Sequence, residues 1–462
     1  MSKPIVSESS DGVDSSAMRE GLVTGLLGLT VVLVIMNTMM FNLALPDVSR
    51  DYGLSPTSTS WIVTGYSIVF AISSITFSRL SDFIPIRRLL LIGIFSLSFA
   101  AIAGYFSDSY LMLLVARIVQ ASGAGSIPAL SLVLISRYIP VQRRGKAMAT
   151  VMSAVSLGLG LGPVAGGAIV EYLGWHDLFL VTVITLLLVP FFVIFIPKEK
   201  PSRGSFDALG ALFIGVGTTG LLLFLTNHSW IALAVGLLSI GLFILRIRTA
   251  REPFVLPALF RNRSYLSLGA VGIVAYLCSF ATLFLMPQIL VGQYGLTSIE
   301  AGLVIFPGSL LSMLISRQVG KIIDVSGNGR IIRYAPLLVL AAVALFALLE
   351  KSGYVAILFI YMLLSVGFTF LTSSISNEMS RILKPAQIGS GLGLFQLLQF
   401  FSGAFGVAMS ASALGWQKQL SLSQAYSNIY WGLAFLSILA IASAYSYLKS
   451  RSIVVSQQAQ AM

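Results

Sequence analysis

Ser78-Arg79-Leu80-Ser81-Asp82-Phe83-Ile84-Pro85-Ile86-Arg87-Arg88 follows the second apolar stretch of the chain, and Gly320-Lys321-Ile322-Ile323-Asp324-Val325-Ser326-Gly327-Asn328-Gly329-Arg330 follows the tenth. Each reads as a loop with a carboxylate five to six residues ahead of a basic residue. One such loop reads as easily as a solvated charged turn; a matched second copy marks an internal repeat. An acid placed there can pair with loop Arg or Lys and rest against the positive N-terminus of a neighbouring helix. Breaking those contacts as two halves rock would bias one access state against the other.

Outward from these loops, fourteen apolar stretches occupy residues 22–46, 58–78, 89–106, 110–136, 147–170, 178–196, 208–226, 230–245, 266–292, 299–316, 334–349, 354–376, 386–414 and 427–448. A helix needs about 20 mostly apolar residues to cross a bilayer. The expected fold class is an all-α polytopic membrane protein with 14 transmembrane helices, arranged as two six-helix bundles plus two inserted helices. The expected segments are a tail at 1–21, bundles at 22–200 and 261–448, an insert with flanking basic loops at 201–260, and a tail at 449–462.

Composition agrees: 56% of residues are hydrophobic and 10% charged. With the N-terminus inside, 25 of the 29 Lys and Arg fall on cytoplasmic segments, Arg50, Lys351 and Lys418 lie outside, and Arg117 lies within a span. That asymmetry is the positive-inside pattern, so both termini are expected in the cytoplasm. The net charge of +12 therefore reports topology and contact with an anionic leaflet. Nucleic acid is excluded as a partner, because the basic residues are dispersed over separate loops. The first apolar run lacks the basic flank and cleavage site of a signal peptide. Cys278 is the single cysteine, and His176 and His228 fall in external turns. No span gathers the convergent His, Asp, Glu, Ser or Cys set of an intramembrane enzyme, and no metal or cofactor site is expected.

Four further motifs stand on these spans: Asn42-Leu43-Ala44-Leu45-Pro46-Asp47, Arg117-Ile118-Val119-Gln120-Ala121-Ser122-Gly123, Gly158-x-Gly160-x-Gly162-Pro163-x-x-Gly166-Gly167, and the polar pair Asn37-Thr38. With the two loops, the first three resemble the major facilitator superfamily, and within it the fourteen-span drug/proton antiporters, which include Gram-positive tetracycline and multidrug exporters. The glycine run is the most specific, being similar to the antiporter signature of exporters. The resemblance implies the major facilitator fold, a bacterial plasma-membrane location, a monomer, and proton-coupled efflux of drug-type amphiphiles, tetracycline-like compounds among them, by alternating access, with antibiotic resistance as the outcome.

Arg117 sits about two turns inside its span, and an ionisable residue at membrane depth is a functional candidate by default; snorkelling or a structural pairing is the alternative. The resemblance implies that it faces a central cavity and acts on proton transfer or on an anionic substrate group. Gly158, Gly162, Gly166 and Gly167 remove bulk so that a partner helix can approach, and Pro163 permits a kink. Given the resemblance, they form a hinge or gate sealing against the opposite bundle, together with Asp82, Arg87, Arg88 and Asp324. Substrate contacts are expected from Asn37, Thr38, Phe41, Asn42, Trp61, Tyr66, Gln120, Tyr276, Phe280, Gln288, Gln396 and Gln399, a mostly aromatic lining with a few convergent polar groups. Gln396 and Gln399 carry special weight, because an unsatisfied amide facing lipid is expensive.

The chain departs from the family in one respect. Where such antiporters carry an acid in span one, it has Asn37 and Thr38, and none of its 17 acids falls near the middle of a span. Glu378, Asp47 and Asp207 are the remaining candidates for carrying a proton. The expected partners are an amphiphilic small molecule, protons and the lipid bilayer. The alternative to a proton-coupled exporter is an uncoupled facilitator or flippase for an endogenous amphiphile such as a lipid, peptide or siderophore.

Overall fold

Described in the computed structural model are residues 19–54, 56–199, 201, 206–227, 229–250, 253–417 and 419–460. His228 and most of the tail 1–21 lie outside the described residues. The rods are α1 (Glu20–Asp51), α2 (Pro56–Leu80), α3 (Ile86–Tyr105), α4 (Tyr110–Tyr138), α5 (Val141–Tyr172), α6 (Trp175–Phe195), α7 (Ala208–Asn227), α8 (Trp230–Thr249), α9 (Arg263–Gly292), α10 (Ser298–Ser326), α11 (Asn328–Leu349), α12 (Tyr354–Ile382), α13 (Ile388–Trp416) and α14 (Leu422–Gln460). Among the described residues, twelve are long and apolar enough to cross a membrane. Of the other two, α10 bends by 42° between Ile299–Ile315 and Gln318–Ser326, and α7 offers the shorter apolar stretch Ala208–Phe224.

Several boundaries differ from expectation. The second acidic motif is mostly helix: α10 runs through Asp324 to Ser326, and only Gly327, at φ +72°, interrupts the chain before α11 begins at Asn328. Nothing between Gly320 and Ser326 forbids helix, whereas in the first copy Pro85 fixes an extended start for α3. α5 begins at Val141, directly after Pro140, rather than at 147. α6 is no plain helix: it alternates 3₁₀ and α turns. There the Thr182 and Thr185 hydroxyls donate to the carbonyls of Phe179 (2.8 Å) and Thr182 (2.6 Å), competing with the helical ladder. The expected tail from 449 onward is helical as far as Gln460.

α1–α6 pack together, as do α9–α14, and the two groups meet along two seams, α5 on α10 and α2 on α13. Counting eight helices on from α2 gives α10, and from α5 gives α13, so each seam is the repeat image of the other. α7 and α8 pack on each other as a hairpin that leans through α7 on α2 and α13. Asp207 fixes its end, accepting from Gly210 N (3.1 Å), Phe254 N (3.3 Å) and Arg246 Nε (3.0 Å). Large apolar side chains point away from the packed interior, with Ile231 78% and Phe435 63% exposed. A water-soluble protein rarely leaves such apolar area uncovered, and lipid is the solvent that suits it.

Candidate functional site

The two acidic motifs lie at the same end of the molecule, where most of the Lys and Arg collect. Asp324 accepts from the backbone N–H groups of Gly145 (3.0 Å) and Lys146 (3.3 Å) in the first turns of α5. These two amides lie past the unpaired donors that open the helix, so the carboxylate shares them with the helical ladder and is favoured by the positive dipole of the helix N-terminus. Its image, Asp82, pairs with Arg79 (2.5 Å) and with Arg137 of α4 (3.2 Å). Asp82 presses on the start of α13: a Cβ on Gly389 would stand 2.2 Å from its Oδ1. Ser78 beside it donates to the Gly389 carbonyl at 2.6 Å. Burial raises the Asp82 carboxyl above its ordinary 3.8, against the pull of Arg79 and Arg137. Both seams are thus latched at the basic end. Arg87 is half-buried and Arg88 exposed in the first turn of α3. Arg137, which sequence reasoning missed, joins Asp82 to Glu199 (3.7 Å).

The glycine run divides its faces, and this corrects the expected seal. Cβ atoms on Gly158, Gly162 and Gly166 would strike Ile35, Met39 and Met40 of α1, at 2.9, 2.5 and 3.0 Å to their Cβ atoms. These glycines serve packing inside the first bundle. Gly160 alone of the run faces the other bundle, its Cβ position 2.1 Å from Ser309 Oγ on α10. The two-residue offset turns Gly160 about 200° round the helix from its neighbours. Pro163 lies inside α5 without ending it, and Gly167 is half-buried.

In the first bundle, Arg117 is buried at 1% exposure. Its Nη1 donates to Gln120 Oε1 (2.6 Å) and Asn37 Oδ1 (3.0 Å). Gln120 Nε2 in turn donates to Thr182 Oγ1 (3.0 Å). The guanidinium carbon sits 3.9 Å from the Phe41 ring centre on one side and 4.0 Å from that of Tyr66 on the other. Such stacking suits a weakly hydrated cation. Nε and Nη2 have no hydrogen-bond partner among the described residues. Thr38 Oγ1 lies 3.4 Å from the Tyr66 hydroxyl.

Across the interface, Gln396 and Gln399 are fully buried on α13, and neither amide, nor the Tyr276 hydroxyl of α9, has a hydrogen-bond partner among the described residues. Orphaned buried amides are costly and call for an explanation. A chain of rings joins the two clusters. Tyr66 stacks on Phe70 (6.1 Å between centres), Phe70 meets Phe400 edge-on (4.5 Å), and Phe400 meets Tyr276 (5.5 Å), which also contacts Phe280 and Phe368. The gap left between α2, α7 and α13, lined by Ala71 and Phe400, is about 10 Å³, at the lower limit for one water. The interface around Phe400 is closed.

Not every expected contact joins this assembly. Gln288 is half-buried and donates to Phe284 O of its own helix at 3.1 Å. Trp61 is half-buried near the start of α2, and the Asn42 side chain lies outside the described residues. Glu378 is buried in the second bundle, accepting from Asn328 Nδ2 and from the Tyr447 hydroxyl (2.5 Å), so it ties α12 to α11 and α14. Asp47 keeps a side chain 36% exposed beside Arg50.

Two repeat-related helical bundles that latch at one end, turn apolar faces outward and bury unsatisfied polar groups within are the architecture of a multi-pass membrane transporter. The chain belongs to the Major Facilitator Superfamily, whose model matches residues 27–407. Among its relatives, the riboflavin transporter RibZ of Clostridioides difficile (strain 630) is 26% identical over 430 residues, spanning 91% of this chain and 92% of that one. The uncharacterized MFS-type transporter YvkA of Bacillus subtilis (strain 168) is 25% identical over 436 residues, spanning 92% and 96%. In fold the chain is similar to the human organic anion transporter MFSD10 (TETRAN), with TM-score 0.67, 16% identity and coverage of 91% and 99%. It is similar also to the proton:xylose symporter XylE, with TM-score 0.69, 13% identity and coverage of 94% and 96%.

Proposed function

We propose that the protein exports flat, amphiphilic small molecules across the bacterial plasma membrane by alternating access, as a monomer. In this reading the fourteen rods are fourteen spans, with bundles at 22–200 and 261–448 around the inserted hairpin, and the basic end with both termini faces the cytoplasm. One observation carries it. Unpartnered polar groups of both bundles, Arg117 on one side and Tyr276, Gln396 and Gln399 on the other, are buried at the two ends of one aromatic chain, so a cargo seated there would satisfy both. Drug-type export accords with the fourteen-span resemblance. The riboflavin named for RibZ is itself a flat heteroaromatic molecule with an amide-like edge, a class that rings and glutamines suit.

Proton antiport belongs to the same resemblance, but the geometry favours the uncoupled reading. Among the described residues every carboxylate lies in a loop or within about a turn of a helix end, and Arg117 has no acid partner. Antiport needs an acid shielded from bulk water near the cargo. Purified protein in liposomes, supplied with a panel of cationic, neutral and anionic aromatic amphiphiles, tests the proposal. Uptake or release of at least one compound, lost in Gln396→Ala with Gln399→Ala, is expected. Luminal pH should stay flat. Transport undisturbed by the double substitution would overturn the assigned seat.

A further inference from the structure

Arg117 presents a geometry that its neighbours do not complete. Both faces of the guanidinium are covered, by Phe41 and Tyr66. Nη1 is held by two neutral amide oxygens, those of Asn37 and Gln120. What remains is the Nε and Nη2 edge, buried and without a hydrogen-bond partner among the described residues. That edge donates two parallel N–H groups, the fork that matches a carboxylate, sulfonate or phosphate. A buried charge needs an opposite one, and the neutral groups around Arg117 orient it without supplying one. The answering charge has to arrive with the cargo.

We propose that the cargo is an aromatic anion whose acidic group seats on the Nε and Nη2 edge of Arg117, and that an inside-negative membrane potential, with no proton exchanged, drives it outward. This rests on the export reading above and names its substrate class and energy source. The loaded seat is neutral, since the anion cancels Arg117. Each turnover carries the anion's charge outward with nothing moving in return. A field of 100 mV acts on one elementary charge with about 2.3 kcal/mol, equivalent to about a fifty-fold accumulation outside for a monoanion. An uncharged analogue gains nothing from that field, and a cation is held back by it as well as repelled by Arg117.

The test uses the full chain in proteoliposomes and isosteric triplets on one-, two- and three-ring aromatic cores, each with a sulfonate, a neutral sulfonamide and a trimethylammonium member. A potassium diffusion potential set with valinomycin is varied from zero to 100 mV, with any pH gradient collapsed. At least one sulfonate should distribute towards about fifty-fold at 100 mV and evenly at zero. Its sulfonamide should show no potential dependence. Arg117→Gln should lower the sulfonate-to-sulfonamide rate ratio by more than about tenfold, and Arg117→Lys should restore part of it. Because the wild-type response to potential stands alone, misfolding of either variant leaves the test intact. Sulfonates refused while sulfonamides or ammonium members cross, sulfonate movement that follows a pH gradient and ignores potential, or an unchanged ratio in Arg117→Gln would each overturn the anion proposal and leave the transporter reading standing. Silence towards every compound would sink both.

Discussion

Gly320→Ala should pry open the latch at the basic end. The new Cβ would stand 2.5 Å from Lys146 Cα and 3.2 Å from Lys146 N, both backbone atoms that no rotamer change can clear. Carbon contacts settle near 3.5–4.0 Å, so α5 and α10 must part by roughly 1 Å. Overpacking of this kind costs about 1–3 kcal/mol. The same parting stretches the bonds from Gly145 N (3.0 Å) and Lys146 N (3.3 Å) to Asp324, and a hydrogen bond to a charged group contributes about 1.5–3 kcal/mol. With water replacing part of that loss, the closed state should weaken by about 2–3 kcal/mol, a shift of about 30- to 140-fold in its population relative to the open state. The assay is maleimide labelling of Val319→Cys on one seam and Ile75→Cys on the other, both fully buried in the native protein. Each reporter is placed in a Cys278→Ser background, Cys278 being the only native cysteine and itself buried. Both reporters should label at least about tenfold faster with Gly320→Ala. If only Val319→Cys speeds up, the wedge has been absorbed locally and the bundles do not move as rigid bodies. If neither does, the latch is not what holds this end closed.

Three further outcomes follow from the same contacts. Since burial lifts the Asp82 carboxyl above 3.8 in the latched state and opening exposes it, protons bind the closed gate preferentially. Acidifying the basic side from neutral towards the raised value should therefore slow Ile75→Cys labelling, corrected for thiol reactivity, and Asp82→Asn should reduce that dependence, leaving the part owed to Asp324, whose carboxyl burial also raises. Gly158→Ala should lower thermal stability, because Ile35 Cβ lies only 2.9 Å from the added carbon, whereas Gly160→Ala should act on labelling and transport through Ser309 at 2.1 Å; equal stability loss in both would contradict the split. Tyr447→Phe should destabilise the second bundle by about 1–3 kcal/mol, read as a lower Tm, with the pH profile of transport per folded molecule unchanged; a displaced profile would return Glu378 to the proton path.

The sequence exposes the rods and their repeat, because lipid forces apolar runs of a fixed length and two copies of an acidic motif are hard to miss. Faces are harder to read. Gly158, Gly160 and Gly162 share one motif, but two residues of helix rotation send Gly160 to a different neighbour, and no motif spacing declares which helix waits on each side. Arg117 is legible as a buried cation from its depth. Its bracketing by Phe41 and Tyr66 is not, since α1 and α2 are separate segments whose register only packing fixes. Arg137 is invisible for the same reason: nothing local tells an Arg at the end of α4 that Asp82 lies across from it. The second acidic motif reads as loop because charge and glycine mimic a turn, although within it only Gly327 takes the left-handed conformation.

The repeat is exact in topology and broken in chemistry, and the break has a consequence for how cargo must lie. If both bundles offered the same groups, a molecule could bind in either of two orientations and either bundle could release it first. Here one bundle holds a fixed cation between two rings, and the other holds two uncharged glutamines and a tyrosine hydroxyl. A cargo with an acidic end and an amide-like edge then has one favoured orientation, and its two ends separate differently as the bundles part. The amides can be satisfied by water as soon as the seat wets, so they cost little to release. The guanidinium and its anion lose their attraction only as the surroundings turn from apolar to aqueous, since the Coulomb energy at a given distance falls with the dielectric. Release at the Arg117 end should accordingly be the step most sensitive to salt, and raising ionic strength on the receiving side should speed turnover of a charged cargo while leaving an uncharged one unaffected.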